Sequence, residues 1–430
     1  MVDASAQTAG RVTGGLPHVF LHIGTMKSGT SYIQHVLRRN RTALEAAGLL
    51  VPRQRLVPAV ADVLNRKAKK ASRDHRGTWD IVRREIERWH GGPVILSQEF
   101  MSAADEAAAR RIVASFEPRS VSVIITARDL VRVIPSHWQT SVKQAKTVSL
   151  GEFVRVVQDE SADPMPKLAR GFWKHHDLAR LIGIWGNVVG TDHITVVTVP
   201  PSGAPPVLLW ERFASVIGVD PAMYDATADQ TANFTLSYTA AELLRRVNER
   251  LGDSISPVDH RRVVNGFVAN TVLRDNSHER AASDRARLSP VMHAWAVQRG
   301  ARMVAAVAAS GVKVVGDLED LLAEPPTGDP TDTTEPGPLE ESPDAAVTVI
   351  VALVQRLVKA ELALGPEGPD VGAREEAGPA SAIPPPVPAG PRPSPQIRRR
   401  RADGGQSSMP DLDLVDEDDL MREPTQLPDA

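Results

Sequence analysis

The sequence predicts an α/β fold in which a central parallel sheet is flanked by helices, with a mostly helical C-terminal half and a disordered tail. Short apolar runs of strand length alternate with helical patterns through the first half of the chain. These runs lack polar alternation, which is typical of parallel strands covered on both faces. Beyond residue 322, Pro, Gly, Asp and Glu dominate and no core face can be drawn. We therefore predict a disordered N-terminus over 1–16, a folded domain over 17–322 and a disordered tail over 323–430.

The predicted elements follow one another in the order of a parallel sheet. Strands are expected at His18–Ile23, Val94–Leu96, Val121–Ala127, Ile194–Val199 and, as a short last strand, within Val312–Leu322. Helical periodicity covers Gly29–Arg39, Thr78–His90, Leu150–Asp159, Asp177–Trp185, Pro206–Ile217, Ser237–Leu251, Val258–Ala269 and Pro290–Ala309. Such sheets bind ligands beyond the carboxyl ends of their strands. The residues that follow the first three strands, the loop around Lys27, Glu99 and Arg128, should therefore carry the chemistry.

The stretch VFLHIGTMKSGTS, from Val19 to Ser31, has the composition of a loop that holds an anion. A loop between a buried strand and a helix N-terminus presents several N–H groups and the positive end of the helix dipole. Gly24 and Gly29 allow the backbone to approach closely, and Lys27 adds a mobile charge. A Walker A loop is excluded, because its Lys directly follows the last Gly whereas Lys27 lies inside this loop. The residues expected around the anion are Lys27, Ser28, Gly29, Thr30 and Ser31.

The residue order T-x-K-S-G-T-S in this loop resembles the 5′-phosphosulfate loop of sulfotransferases that use 3′-phosphoadenosine 5′-phosphosulfate (PAPS). Arg128, with Ser136 eight residues later, resembles the 3′-phosphate motif of the same family, and VGDL at 315–318 resembles the end of bacterial members. The resemblance implies a P-loop NTPase-like sheet that binds PAPS through the loop, Arg128 and Ser136. It also implies transfer of the sulfuryl group to a hydroxyl or amine, with release of adenosine 3′,5′-bisphosphate.

Arg128 and Ser136 also admit ordinary structural roles. An Arg fork and a hydroxyl near a helix start make a chemically sensible phosphate clamp. The alternatives are a surface ion pair for Arg128 and a helix cap beside Pro135 for Ser136. The spacing of the clamp assumes that the helix proper begins near Pro135, because a proline inside the helix would kink it.

Sulfuryl transfer needs a group that accepts the proton of the attacking acceptor. Glu99 follows the second strand and is the expected base; its alternative role is to cap the next helix. His137 is the second candidate for the base. Lys27 is expected to stabilise the negative charge on the leaving bridging oxygen. His22 alternates with apolar neighbours in a strand, so we expect a satisfied core histidine.

The charge distribution and the residue composition favour some classes of ligand and exclude others. Residues 1–322 carry 41 Lys and Arg against 32 Asp and Glu, whereas residues 323–430 carry 9 against 21. The net positive charge of residues 1–322 favours an anionic ligand. The acidic residues 323–430 are expected to form a solvated segment. The chain has no Cys and no apparent third ligand beside adjacent His175 and His176, so no metal is expected. No signal peptide or membrane-spanning run is found, and we expect a cytoplasmic protein that binds no nucleic acid.

Several functional questions stay open in the sequence. The acceptor can be a small molecule, a sugar or a lipid, because the loops expected to line its pocket have mixed composition. The Arg-Lys-Gly motif of cytosolic sulfotransferases is not found, which leaves Trp138, Phe234 and Tyr238 as candidate adenine contacts. The apolar stretch 345–364 is expected to form a helix for docking to a protein partner or for self-association. The alternatives to a sulfotransferase are a P-loop nucleotide kinase and a non-catalytic scaffold that works through this helix.

Overall fold

Five parallel strands form the sheet around which the chain folds. The computed structural model describes residues 18–65, 75–227, 236–273, 285–325 and 344–364. The strands are β1 (His18–His22), β2 (Val94–Ser97), β3 (Ser120–Ala127), β4 (Ile194–Thr198) and β5 (Lys313–Val315), in the spatial order β2-β1-β3-β4-β5. All four neighbouring pairs are parallel. The predicted α/β class and the positions of the strands are thus confirmed.

Helices connect the strands and cover both faces of the sheet. Between β1 and β3 lie α1 (Thr30–Arg39), α2 (Arg41–Ala46), α3 (Leu56–Val63), α4 (Thr78–Glu87) and α5 (Glu106–Ala114). Between β3 and β5 lie α6 (Leu130–Lys143), α7 (Leu150–Gln158), α8 (Lys167–His176), α9 (Leu178–Val189), α10 (Val207–Ile217), α11 (Tyr238–Leu251), α12 (Pro257–Asp259), a π-helical stretch (His260–Leu273) and α13 (Pro290–Ala309). The last described helix is α14 (Asp344–Leu364). The C-terminal half is mostly helical, as predicted, although a π-helix stands where the pattern predicted an α-helix over Val258–Ala269.

The alternation of side chains along each strand divides the core into two layers. Val19 and Leu21 of β1 pack into a large cluster on one face, with residues of α3, α5, α6 and α9. Ile95, Ile124 and Val197 point to the other face, where they meet a smaller cluster from α1 and α10. Burial on both faces explains why the strands read as continuous apolar runs.

One face of α14 packs against the body of the same chain. Val347, Val354 and Val358 are buried in the large cluster, and the Gln355 amide donates to Ser254 Oγ at 3.4 Å. Leu353, on another face, is 60% exposed. The sequence predicted a docking helix, and up to Val358 its buried face docks within its own compact unit. A second unit, residues 359–414, is described only as far as Leu364.

Some expectations fall outside the described residues. These are the segments 1–16 and 365–430, for which the sequence predicts disorder, the part of the tail at 326–343, and Phe234. None of the described helices combines the length and the apolar character that a membrane-spanning segment needs.

Candidate functional site

Three of the predicted functional segments leave the sheet side by side. The register pairs His22 with Ser97 on one side and with Ile124 on the other, so β1, β2 and β3 end at the same edge. Because β1 lies between its two partners, the Lys27 loop is central, with Glu99 after β2 on one side and Arg128 after β3 on the other. A Cβ added to Gly24 would lie 3.3 Å from Glu99 Cβ and 3.6 Å from Thr126 Oγ1, so the start of the loop contacts both neighbours.

The loop has an unusual backbone that the glycines make accessible. Gly24, Lys27 and Gly29 have φ values of +59°, +62° and +79°, in the left-handed region. A non-glycine residue such as Lys27 adopts this conformation only when its surroundings impose it. Gly29 precedes α1, and neither a side-chain cap nor an acidic residue occupies the first turn of that helix. The positive end of α1 is therefore not neutralised by the chain itself.

Replacing Gly24 by Ala should damage the loop through two effects. The positive φ costs about 1–3 kcal/mol for a residue with a Cβ, and that Cβ would lie 2.4 Å from Thr30 Cγ2. Gly77 provides a matched control, because it has φ +78° and nothing within 4 Å of an added Cβ. We expect Gly24→Ala to lower the thermal midpoint clearly more than Gly77→Ala. Equal losses in calorimetry would show that the close packing at Gly24 is unimportant.

A buried hydrogen-bond chain anchors the loop to the sheet. His22 Nδ1 lies 2.7 Å from Ser97 Oγ, and His22 Nε2 lies 3.0 Å from Thr126 Oγ1. Thr126 Oγ1 in turn lies 2.7 Å from Ser28 Oγ, which donates to the Thr25 carbonyl oxygen. Since the single Ser28 proton is used on Thr25, Thr126 must donate to Ser28 and accept from His22 Nε2. Ser97 then donates to His22 Nδ1. The donor and the acceptor of each hydrogen bond from Ser97 to Thr25 are thereby assigned.

The assigned hydrogen bonds limit which groups of Ser28 can bind a ligand. The sequence predicted Ser28 among the residues around the anion, but its side chain is fully buried and its hydroxyl proton is directed to the Thr25 carbonyl oxygen. Only the main-chain N–H of Ser28 can serve an anion in this arrangement. His22 is confirmed as a satisfied core histidine, and burial lowers its pKa to about 3.

Glu99 opens a short 3₁₀ turn, Glu99–Ala103, and is half-buried at the end of β2. Its Oε2 accepts a hydrogen bond of 2.7 Å from the amide of Gln34 on α1. Gln98 caps the 3₁₀ turn by accepting from Phe100 N, and Asp105 caps α5. The alternative role of Glu99 as a helix cap is therefore wrong, and its carboxylate stays directed toward α1.

Arg128 is half-buried directly after β3, and its Nε has no hydrogen-bond partner among the described residues. The neighbouring carboxylate does not serve it, because Asp129 caps α6 and pairs with Arg132. Burial and the nearby Arg132 charge lower the pKa of Arg128 to about 10, with Asp129 acting in the opposite direction. The guanidinium is therefore charged at neutral pH and holds a buried donor that suits an anionic ligand.

Ser136 does not lie at a helix start. Asp129 caps α6, which begins at Leu130, so Pro135 lies inside the helix and Ser136 is its seventh residue. The assumption that the helix begins near Pro135 is wrong, and so is the cap role of Ser136. From Leu130 to Ser136 the helix rises about 9 Å. One phosphate can contact both Arg128 and Ser136 only if the guanidinium reaches along the helix.

The solved structures similar to this chain include a sulfotransferase. A sulfotransferase from Alicyclobacillus acidocaldarius aligns with a TM-score of 0.32 and 15% identity, over 60% of this chain and 99% of the other. No protein-family model and no curated protein matches the chain. A likeness this low assigns neither a family nor a function.

The charges of Lys27 and Lys143 interact. Burial and the charge of Lys27 lower the pKa of Lys143, at the end of α6, to about 8. Ser136, Thr140 and Lys143 share one face of α6, at spacings of four and three residues, and all are half-buried. Lys143 is not among the site residues predicted from the sequence, although its spacing from Ser136 places both on one face of a helix.

The histidines near Lys27 are buried and neutral. His137 Nδ1 lies 3.0 Å from His176 Nε2, and the His137 ring packs against Phe153 and Phe172. Burial, with a contribution from the Lys27 charge, lowers the pKa of His137 to about 3. The second candidate for the base is thus enclosed by core side chains, which favours Glu99.

The described aromatic candidates for an adenine contact belong to the core. Trp138 is fully buried, donates its indole N–H to the Val148 carbonyl oxygen at 2.9 Å and packs against Tyr238. No group of His, Cys, Asp or Glu suited to a metal ion occurs among the described residues.

Proposed function

We propose that this protein is a PAPS-dependent sulfotransferase. The observation that carries the proposal is the order of three groups at one sheet edge: a carboxylate after β2, a cationic loop after β1 and a buried guanidinium after β3. PAPS carries two anionic groups, and the two cationic positions on adjacent strands suit them. Glu99 stands on the side of the loop opposite to Arg128, where an acceptor would approach the sulfuryl group.

Different residues would bind the 5′-phosphosulfate and the 3′-phosphate of PAPS. The main-chain N–H groups of Ser28, Gly29, Thr30 and Ser31, with Lys27, would hold the 5′-phosphosulfate at the uncapped end of α1. Arg128 and Ser136 would bind the 3′-phosphate. The buried Nε of Arg128, which has no protein partner in the described residues, fits this role because an anion would satisfy it.

The transfer forms a bond from sulfur to the acceptor oxygen or nitrogen and breaks the bond from sulfur to the bridging phosphate oxygen. A hydroxyl oxygen or amine nitrogen of the acceptor attacks the sulfur, and its proton passes to the Glu99 carboxylate. The bond between sulfur and the bridging phosphate oxygen breaks, and adenosine 3′,5′-bisphosphate leaves. Lys27 stabilises the negative charge that develops on this oxygen. The acceptor is a small molecule, sugar or lipid with such a group.

Calorimetric titration with adenosine 3′,5′-bisphosphate in the absence of Mg²⁺ tests the donor site. We expect binding that Arg128→Ala weakens about 10–100-fold, because a charged hydrogen bond to the 3′-phosphate is lost. Adenosine 5′-monophosphate is the matched control ligand, since it lacks the 3′-phosphate and its affinity should not change. A preference for ATP with Mg²⁺ would favour a nucleotide kinase. No binding of either nucleotide would favour a non-catalytic scaffold.

A further inference from the structure

Gln34 links the helix that begins at the anion loop to the carboxylate expected to act as the base. Its side-chain nitrogen donates to Glu99 Oε2 at 2.7 Å and to the Ser97 carbonyl oxygen at 3.3 Å. Both contacts are acceptors, and an amide flipped by half a turn would place its oxygen against them. The orientation of the Gln34 amide is therefore fixed by its surroundings, and both of its protons point toward the end of β2.

One of the two hydrogen bonds holds the Gln34 amide in place and the other holds the Glu99 carboxylate. The bond to Ser97 ties the amide to the last residue of β2, two positions before Glu99. The bond to Glu99 Oε2 then orients the plane of the carboxylate. The hydrogen bond from Gln34 makes Oε2 the less basic of the two carboxylate oxygens, which favours Oε1 as the oxygen that receives a proton.

The same helix also sets the distance between the donor and the base. Thr30, at the anion-binding end of α1, and Gln34 are four residues apart and lie on one face of the helix. Four residues of helix, about 6 Å along the axis, therefore separate Thr30 from Gln34. A shift of α1 would move the base and the phosphosulfate loop together, which preserves their alignment for in-line attack.

A neutral donor suits this position better than a charged residue. A lysine would place a full positive charge on Glu99 and hold its proton-accepting oxygens in an ion pair. A second carboxylate at this distance would compete with Glu99 for one proton. The Gln34 amide supports the ionised carboxylate without neutralising it.

We propose that Gln34 is a positioning residue that orients Glu99 and directs the acceptor's proton to Glu99 Oε1. This inference rests on the proposed function, since it assigns Glu99 as the base of the sulfuryl transfer. Gln34 acts through Glu99, the partner of its shorter hydrogen bond.

Two variants and one control test the inference. Gln34→Leu keeps the volume and removes the donor, whereas Gln34→Glu replaces it by a second carboxylate. The control is Gln139→Leu on α6, because Gln139 is buried and, among the described residues, donates only to a main-chain oxygen, that of Leu236, at 2.8 Å. Release of adenosine 3′,5′-bisphosphate from PAPS is measured with the full chain against a panel of simple sugars, phenols and aliphatic alcohols.

We expect Gln34→Leu to lower kcat about tenfold or more, while KM for PAPS and the affinity for adenosine 3′,5′-bisphosphate stay within twofold. In Gln34→Glu the acid limb of the pH–rate profile should move to higher pH by about one unit, because two carboxylates then share a proton. Gln139→Leu should lower the thermal midpoint and leave the pH profile where it is. These shifts separate positioning of the base from a general loss of stability.

The outcomes distinguish the two proposals. If the unsubstituted protein turns PAPS over and Gln34→Leu keeps kcat within twofold, the positioning role is overturned and the proposed function stands. If the unsubstituted protein binds the bisphosphate without turnover, or does not bind it, the proposed enzyme and the role of Gln34 fall together.

Discussion

Replacing Lys27 by Ala should lower the rate of sulfuryl transfer about 10²–10³-fold, which is the effect of losing one charged or hydrogen-bonding group at a developing negative charge. Lys27 is held at φ +62° in the middle of the loop, between the strands that lead to Glu99 and Arg128. Its charge reaches the buried groups of α6 and α8, since it contributes to the lowered pKa values of His137, Lys143 and His176. The ammonium therefore lies within electrostatic range of α6 and α8.

The decisive measurement is single-turnover release of adenosine 3′,5′-bisphosphate by Lys27→Ala and by a lysine control. Lys167→Ala is suitable as the control, because Lys167 is exposed at the start of α8 and its charge is not a cause of any of these shifted pKa values. We expect full activity from Lys167→Ala. A Lys27→Ala protein that keeps the rate of transfer within tenfold would exclude Lys27 from charge stabilisation in the transition state.

The same substitution should change Lys143. Removing the Lys27 charge removes one of the two causes that lower the pKa of Lys143 to about 8, and burial remains. The pKa of Lys143 should therefore rise, and its amine should react more slowly with an acylating reagent at pH 8. Mass spectrometry of acetylated peptides checks this rise independently of any turnover.

The sheet was predictable because its strands are buried on both faces. Val19, Leu21 and their neighbours in β2 and β3 have to be apolar, and this requirement is visible in a single sequence. Adjacency of the three chemistry-bearing segments follows from the parallel strands, once the order of the strands is known. That order, β2-β1-β3, is not visible in the sequence, because it depends on how the connecting helices pack.

The directions of side chains were less predictable. The Ser28 hydroxyl turns inward because Thr126, which is 98 residues away in the chain, lies beside it. In the sequence, Gln34 is one of the polar positions of an amphipathic helix. Its contact with Glu99 could not be predicted, because it forms only when α1 packs beside β2. The predicted start of α6 near Pro135 is wrong. Proline favours the first turn of a helix, but the Asp129 side chain caps α6 and fixes its start at Leu130.

Three buried histidines should make the protein sensitive to acid. Burial lowers the pKa of His22 to about 3 and that of His137 to about 3, and it lowers the pKa of His176 well below 6.5. In the unfolded chain each regains a pKa of about 6.5, so between these values the unfolded state binds more protons than the folded state. The stability contributed by the neutral histidines is present above about pH 6.5 and is lost as the pH falls toward 3. His22 and His137 then each cost about 2 kcal/mol at pH 5, a large share of the 5–15 kcal/mol that holds a typical domain together.

Urea unfolding followed by tryptophan fluorescence at pH 7.5, 6 and 5 measures this loss, and we expect the midpoint to fall steeply below pH 6.5. His22→Gln is the informative variant, because a glutamine can accept from Ser97 and donate to Thr126 while removing one titrating group. Its free energy of unfolding should depend on pH less steeply by about 1.4 kcal/mol per pH unit, the value for one proton. His90→Gln, at an exposed position, should leave the slope of the original protein intact. A midpoint that stays constant from pH 7.5 to 5 would mean that these histidines are protonated in the folded state, and the inward hydrogen-bond chain from Ser97 to Thr25 could not then have the direction assigned to it.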